Sequence, residues 1–173
     1  ASLDEPKETT EMTEAWLSGE VPGVPAYLQP VAHALIQVSA DVPSAVRALP
    51  LEALWAKAGS SASIGFHAVH LAGALDRLFT YARGEALMPA QKEAAADERT
   101  LHETRPSAEA IAGLVEAGVT RALDQLRAID PSTVLDAREV GRAKLPSTVL
   151  GLLFHAAEHS TRHAGQIETL IRV

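Results

Sequence analysis

Apolar residues recur at helical spacing in four long stretches, separated by polar or proline-bearing segments. In the first, Leu28, Val31, Leu35, Val38 and Val42 follow one another at intervals of 3, 4, 3 and 4, the stripe of a helix that buries one face in a bundle. This predicts a helix over 26–48. Pro30 is tolerated in its first turn, Pro43 kinks or splits it, and Pro50 ends it. Leu51–Trp55 adds one more turn before the loop Gly59-Ser60-Ser61. A second helix is predicted over 63–83, with Ser63 as N-cap and Gly84 as its stop. A third runs over 107–128 after Pro106, with its stripe on Ile111, Leu114, Val115, Val119, Ala122, Leu126 and Ile129. The fourth runs over 147–172 after Pro146.

No stretch alternates apolar and polar residues long enough to predict a strand. The fold class is therefore all-α, a four-helix bundle with ligand sites between facing helices. The connections at 85–106 and 130–146 are long for a bundle. The first is expected to hold a short helix and cover a pocket. The pentapeptide PSTVL occurs at 131–135 and 146–150 in different surroundings and reads as coincidence. Residues 1–19 read as a flexible N-terminal lead, with 1–11 a processed or added segment ahead of Met12, and 20–173 as one domain.

Composition sharpens this picture in three ways. The chain has 173 residues, one domain's worth; 32 are Ala and only 7 aromatic, a balance that favours helix over strand. The formal charge of −7 argues against nucleic acid as a partner, since phosphate binding needs a basic face. No stretch approaches the ~20 apolar residues of a membrane span. The chain contains no Cys, which excludes disulfides and a thiol nucleophile of its own and fits a reducing compartment. The expectation is a cytoplasmic protein with a small-molecule substrate, pairing as a homodimer, since bundles with Leu- and Ala-rich faces often pair.

The chemistry concentrates in histidines. Of seven, three form His155-x-x-x-His159-x-x-x-His163 on the last helix. A spacing of four sets successive rings about 40° apart and one turn along, so His159 and His163 can converge on one metal ion. Leu152, Ile167 and Leu170 lie near the same side and turn the pair toward the core. The second helix offers His67 and His70, beside Leu71 and Leu78. Imidazoles facing an apolar interior need partners, and a divalent transition metal is the simplest common one. Three protein ligands leave open positions, as in catalytic sites, where a water is acidified or an exogenous thiol held ionised. Arg77 lies about 20° off the line of His70, and Arg162 about 20° from His155. With Gln166 they are candidates to surround the metal and hold an anionic substrate group. Gly73 and Ala74 are small enough to leave ligand room. Glu158 either orients a His or pairs with Arg162. His33 and His102 read as structural or exposed, and Asp76 points away from the site.

The segments SIGFHAVHLAGALDRL and HAAEHSTRHAGQI resemble the DinB/YfiT-like superfamily of metal-binding four-helix bundles. The resemblance runs from about residue 24 to the end, and its specific part is the two His motifs. It implies a metal held by His70, which precedes Leu71, and by His159 and His163, which Gly165-Gln166 follow. Ala164 stands where the family often has Arg. His67 and His155 fall outside this triad and are placed lining the pocket. Relatives in the family include mycothiol-dependent maleylpyruvate isomerase and bacillithiol transferases, in which the metal activates a low-molecular-weight thiol. The resemblance thus implies a metal-dependent thiol S-transferase or thiol-dependent isomerase, and three imidazoles fit Zn or Ni. A metal-dependent hydrolase, with Glu158 or His155 as base, and a non-catalytic metal-binding stress protein are the alternatives. The absence of an HExxH motif lowers the first of these.

Overall fold

A computed structural model describes residues 13–173. The expectations for residues 1–12 lie outside the described residues. Four long helices form the bundle: α1 (Gln29–Arg47), α3 (Ile64–Ala82), α6 (Ala108–Ala128) and α7 (Val149–Ile171). A single turn, α2 (Leu51–Trp55), follows α1. Each long helix presents its apolar stripe inward. Leu28, Leu35, Leu71, Leu75, Ile111, Leu126, Leu153 and Ile167 are among the side chains fully withdrawn from solvent.

The helices pack in the cyclic order α1, α6, α3, α7, so α1 faces α3 and α6 faces α7 across the diagonals. The α3–α7 seam is the most extensive. These two run antiparallel. Leu75 and Phe79 of α3 join Val149, Leu152 and Leu153 of α7 in one apolar cluster, while His67 and His70 meet His159 and His163 toward the other end. A second cluster, with Leu54, Trp55, Leu71, Ile111, Val115 and Ile167, closes that end of the bundle.

The helix ends follow local chemistry. The Ser63 side chain accepts a hydrogen bond from the Phe66 N–H, Ser107 does the same for Ala110, and Thr148 for Gly151. Gly84 takes φ +78°, the left-handed conformation that ends α3.

Some features depart from the sequence reading. The helix expected from Ala26 opens as a 3₁₀ turn over Ala26–Leu28, and α1 proper starts at Gln29. Pro43 does not split α1, which continues through it; Val42, Pro43 and Val46 are all buried, and their packing holds the turn despite the missing N–H. The connection at 130–146 contains a β-hairpin, β1 (Ala137–Val140) against β2 (Leu145–Thr148), with Val140 opposite Leu145. Pro146 and the four-residue length hid it from the pattern. Because Ser147 belongs to β2, α7 starts two residues later than expected. The two copies of PSTVL take different structures, a 3₁₀ turn at 131–133 and the strand-to-helix junction at 146–150. Near the N-terminus, Ala15–Leu17 forms a 3₁₀ turn against α1, where the Ala15 N–H donates to Gln37 Oε1 at 2.8 Å.

The connection at 85–106 holds α4 (Pro89–Asp97), a 3₁₀ turn (Glu98–Thr100) and α5 (Leu101–Thr104). α4 buries no side chain. The segment is tied down by polar contacts to α3, where Gln91 Nε2 donates to Asp76 Oδ2 at 2.6 Å and to Thr80 Oγ1 at 2.8 Å. Leu101 anchors its far end in the apolar cluster.

Candidate metal centre

The four imidazoles of the α3–α7 seam follow from the helical repeat. His67 and His70 lie one turn apart on α3, and His159 and His163 one turn apart on α7. Packing brings His70, His159 and His163 together, with one nitrogen from each ring lying within 4.8 Å of the others. Ring centroids are 5.2 Å apart for His70 and His159, 4.9 Å for His70 and His163, and 4.5 Å for His159 and His163. These three form the one group of three or more His, Cys, Asp or Glu side chains close enough to hold a metal among the described residues.

The remaining hydrogen bonds assign the ring atoms. His70 Nδ1 lies 2.7 Å from Glu98 Oε2, so it carries the proton and leaves Nε2 as the lone-pair nitrogen. His163 Nδ1 lies 2.9 Å from His67 Nδ1, which leaves its Nε2 free. His159 Nδ1 is buried without a hydrogen-bond partner. An unsatisfied buried group of this kind costs roughly 1–3 kcal/mol. Three imidazoles, one with an orphaned buried nitrogen, are a donor set that fits a borderline-soft divalent metal such as zinc or nickel.

Electrostatics favours the neutral form of His67, His159 and His163. Burial, reinforced by the neighbouring His159, His70 and His67, pushes His163 down to about 4. Burial and then His70 hold His159 below the ordinary imidazole value, and the same causes act on His67, which is only 7% exposed. Protonation of a neighbouring ring disfavours protonation of these three, and their neutral form, the one that can ligate a metal, prevails at neutral pH.

Glu98 had no signal in the sequence, where it is one acid in a long connection. It sits on the 3₁₀ turn after α4, its side chain 12% exposed. Burial raises its carboxyl, but the hydrogen bonds from His70 and Arg77 outweigh that and keep it below the usual range. Arg77 Nη1 donates to Glu98 Oε1 at 2.9 Å. Arg77, Glu98 and His70 thus form a chain in which the carboxylate orients the imidazole, as outer partners of metal ligands do.

The other predicted site residues fall in two groups. Arg77 lies beside the centre but is occupied by Glu98, which corrects its expected role of surrounding the metal or holding an anion. The space at Gly73 belongs to the same pair, since a Cβ there would lie 2.9 Å from Arg77 Nη1 and 3.0 Å from Glu98 Oε1, so it is not ligand room. On α7, Glu158 pairs with Arg162, whose Nη2 donates to its two oxygens at 2.5 and 2.7 Å, and the His it meets is His155, outside the triad, with Oε1 2.8 Å from Nδ1. Arg162 is thereby committed to an i,i+4 pair while 57% exposed. His155 stands one turn beyond the triad, its ring 5.6 Å from that of His159. Gln166 is exposed and lines a cavity with His67 and Arg162. Phe66 stacks on His70 with centroids 5.6 Å apart and planes 5° from parallel. His33 Nε2 meets the Gly19 carbonyl at 2.8 Å, and His102 is exposed. Asp76 serves Gln91 instead of the triad.

A four-helix bundle that carries three converging imidazoles on adjacent antiparallel helices, backed by a carboxylate, defines a class of metal-binding helical proteins. Residues 34–167, which contain the whole centre, match the DinB superfamily, and the chain belongs to that superfamily. A search of curated proteins finds no match. No helix among the described residues is long and apolar enough to cross a membrane.

Proposed function

We propose that this protein is a metal-dependent thiol S-transferase, or a thiol-dependent isomerase, acting on a small anionic substrate. Zinc or nickel would be held by His70, His159 and His163. The observation that carries this reading is that the carboxylates beside the centre are already engaged. Glu98 has one oxygen on His70 and the other on Arg77, and Glu158 is shared by Arg162 and His155. Hydrolysis would need a base free to take a proton from water. A thiol nucleophile needs none, because its own acidity lies close to neutral pH. The chain has no Cys, so the sulfur comes from a diffusible thiol.

Bound by His70, His159 and His163, a divalent transition metal would supply the positive charge that keeps such a thiol ionised. The protein's own part is positioning. Glu98 fixes the His70 tautomer, His67 fixes His163, and Phe66 walls one face of His70 against water. In transfer, the thiol sulfur bonds to an electrophilic carbon of the substrate, whose leaving group departs with its bonding pair. The thiol proton passes to solvent.

The test is metal analysis of dialysed, untagged protein, followed by thiol titration of the cobalt-substituted form. About one metal per chain and a sulfur-to-cobalt absorption band on adding a thiol are expected. Metal without that band, together with ester or amide hydrolysis, would replace the reading with a hydrolase. No metal after reconstitution with zinc or nickel would leave a non-catalytic binding protein.

A further inference from the structure

Two cavities flank the centre and share Ser61 as a wall. One, about 330 Å³, lies between the α2–α3 loop and the 98–102 segment, and touches the centre through Phe66 and Glu98. The other, about 350 Å³, lies along α7 beside His67, Gln166 and Thr169. Each is of the size that takes a small molecule or a fragment of one.

The two differ in uncompensated charge. In the second, Arg162 is neutralised by Glu158. In the first, Lys57 and Arg99 make no ion pair or side-chain hydrogen bond with the described residues, and the one carboxylate present, Glu98, is held by Arg77 and His70. Ser63 also lines this cavity. It is the N-cap of the 19-residue α3, whose positive end therefore faces the same space. Trp55 and Phe66 give it aromatic walls, and Trp55 is held in place by donation from Nε1 to the Pro106 carbonyl at 3.1 Å. Free cations, a helix N-terminus and aromatic walls recognise an organic anion with a flat or apolar body.

We infer that the cavity between the α2–α3 loop and the 98–102 segment is the subsite for the substrate's carboxylate, with Lys57 and Arg99 as its specificity-determining residues. The α7 cavity is left for the thiol. This assignment rests on the thiol-transfer reading for the identity of the second occupant, whereas the anion subsite stands on its own geometry. It also moves anion recognition away from Arg77 and Arg162, whose charges are spent inside the protein.

The probe is isophthalate, a rigid aromatic dicarboxylate, with uncharged isophthalamide as its control. Binding is followed by amide and indole NMR shifts on the full chain, with and without zinc. Expected are shifts of the Trp55 indole and of the amides over 60–66, in both metal states. The double variant Lys57→Ala/Arg99→Ala should bind at least about tenfold more weakly and lose its salt dependence. Isophthalamide should bind at least about tenfold more weakly than isophthalate to the native chain. Equal binding by native and double-variant chains overturns the inference, as does equal binding of the two probes. So do shifts confined to the β-hairpin, and binding seen only with zinc, which would mean that the metal holds the carboxylate. Isophthalate mapping to this cavity while cobalt shows no thiol band would sink the thiol reading alone. The reverse pattern would sink only the subsite.

Discussion

The two ends of the α3–α7 seam are built on the same pair of helices and the same repeat, yet they do different work. Toward the end of α3 and the start of α7, Leu75, Phe79, Leu152 and Leu153 interlock as dry core. Toward the other end the seam carries His67, His70, His159 and His163, with Ala68, Leu71, Ala164 and Ile167 packed beside them. Helix geometry therefore supplies convergence at both ends, and residue type decides whether the product is packing or a cluster of imidazoles that could hold a metal. Both ends also draw on chain outside the four helices: Val21 and Val24 join the apolar cluster, whereas the polar end takes up the carboxylate of Glu98.

Removing an imidazole from the triad should have the largest effect. His159→Ala, and likewise His70→Ala or His163→Ala, should reduce metal content from about one per chain to near none under a competing chelator, an affinity loss of at least about a thousandfold for one lost imidazole. The folded bundle should persist, as circular dichroism would report. Full occupancy in His70→Ala would remove it from the ligand set. At the dry end, Leu153→Ala should cost about 2–5 kcal/mol in urea unfolding and leave metal stoichiometry unchanged. Glu98→Ala should fall between, lowering metal affinity about 10–100-fold by freeing the His70 ring, with Glu98→Gln retaining part of it.

Acid separates the ends further. His67, His159 and His163 take up protons in the fold only below their ordinary value of 6.5, His163 not until about 4. Between those values the unfolded chain binds protons that the fold refuses. Stability of the metal-free protein should therefore be full above pH 6.5 and fall as pH drops toward 4. Urea midpoints at pH 7, 6 and 5 would show this, and an unchanged midpoint would mean that the rings are solvated. The smallest effect is expected from Gly73→Ala. The new methyl crowds Arg77 and Glu98, which should weaken metal binding a few-fold, while a helix-propensity gain of about 1 kcal/mol offsets the strain in unfolding measurements.

What the sequence revealed is what is local or periodic. The stripe from Leu28 to Val42, the Ser63 cap, the Gly84 stop and the His159–His163 pair need only a helix to have meaning. Glu98 is different: its role depends on where a 22-residue connection comes to rest against α3, and no spacing rule connects it to His70. Arg77 and Arg162 were visible as neighbours of the centre, but their commitment to Glu98 and Glu158 emerges only from side-chain geometry. The hairpin was hidden because four residues paired with a strand containing Pro146 carry too little alternation. Pro43 misled because tertiary packing overrode a local breaker.

Glu98 reaches the centre on a segment whose helix α4 buries nothing. The folding load and the tuning of the metal are therefore carried by separate stretches of chain. A connection of different length or composition could replace residues 85–100 without disturbing the bundle, altering the basicity of His70 and the walls of the adjoining cavity together. In this architecture the surroundings of the three imidazoles are an interchangeable fitting, and the four helices are the mount that accepts it.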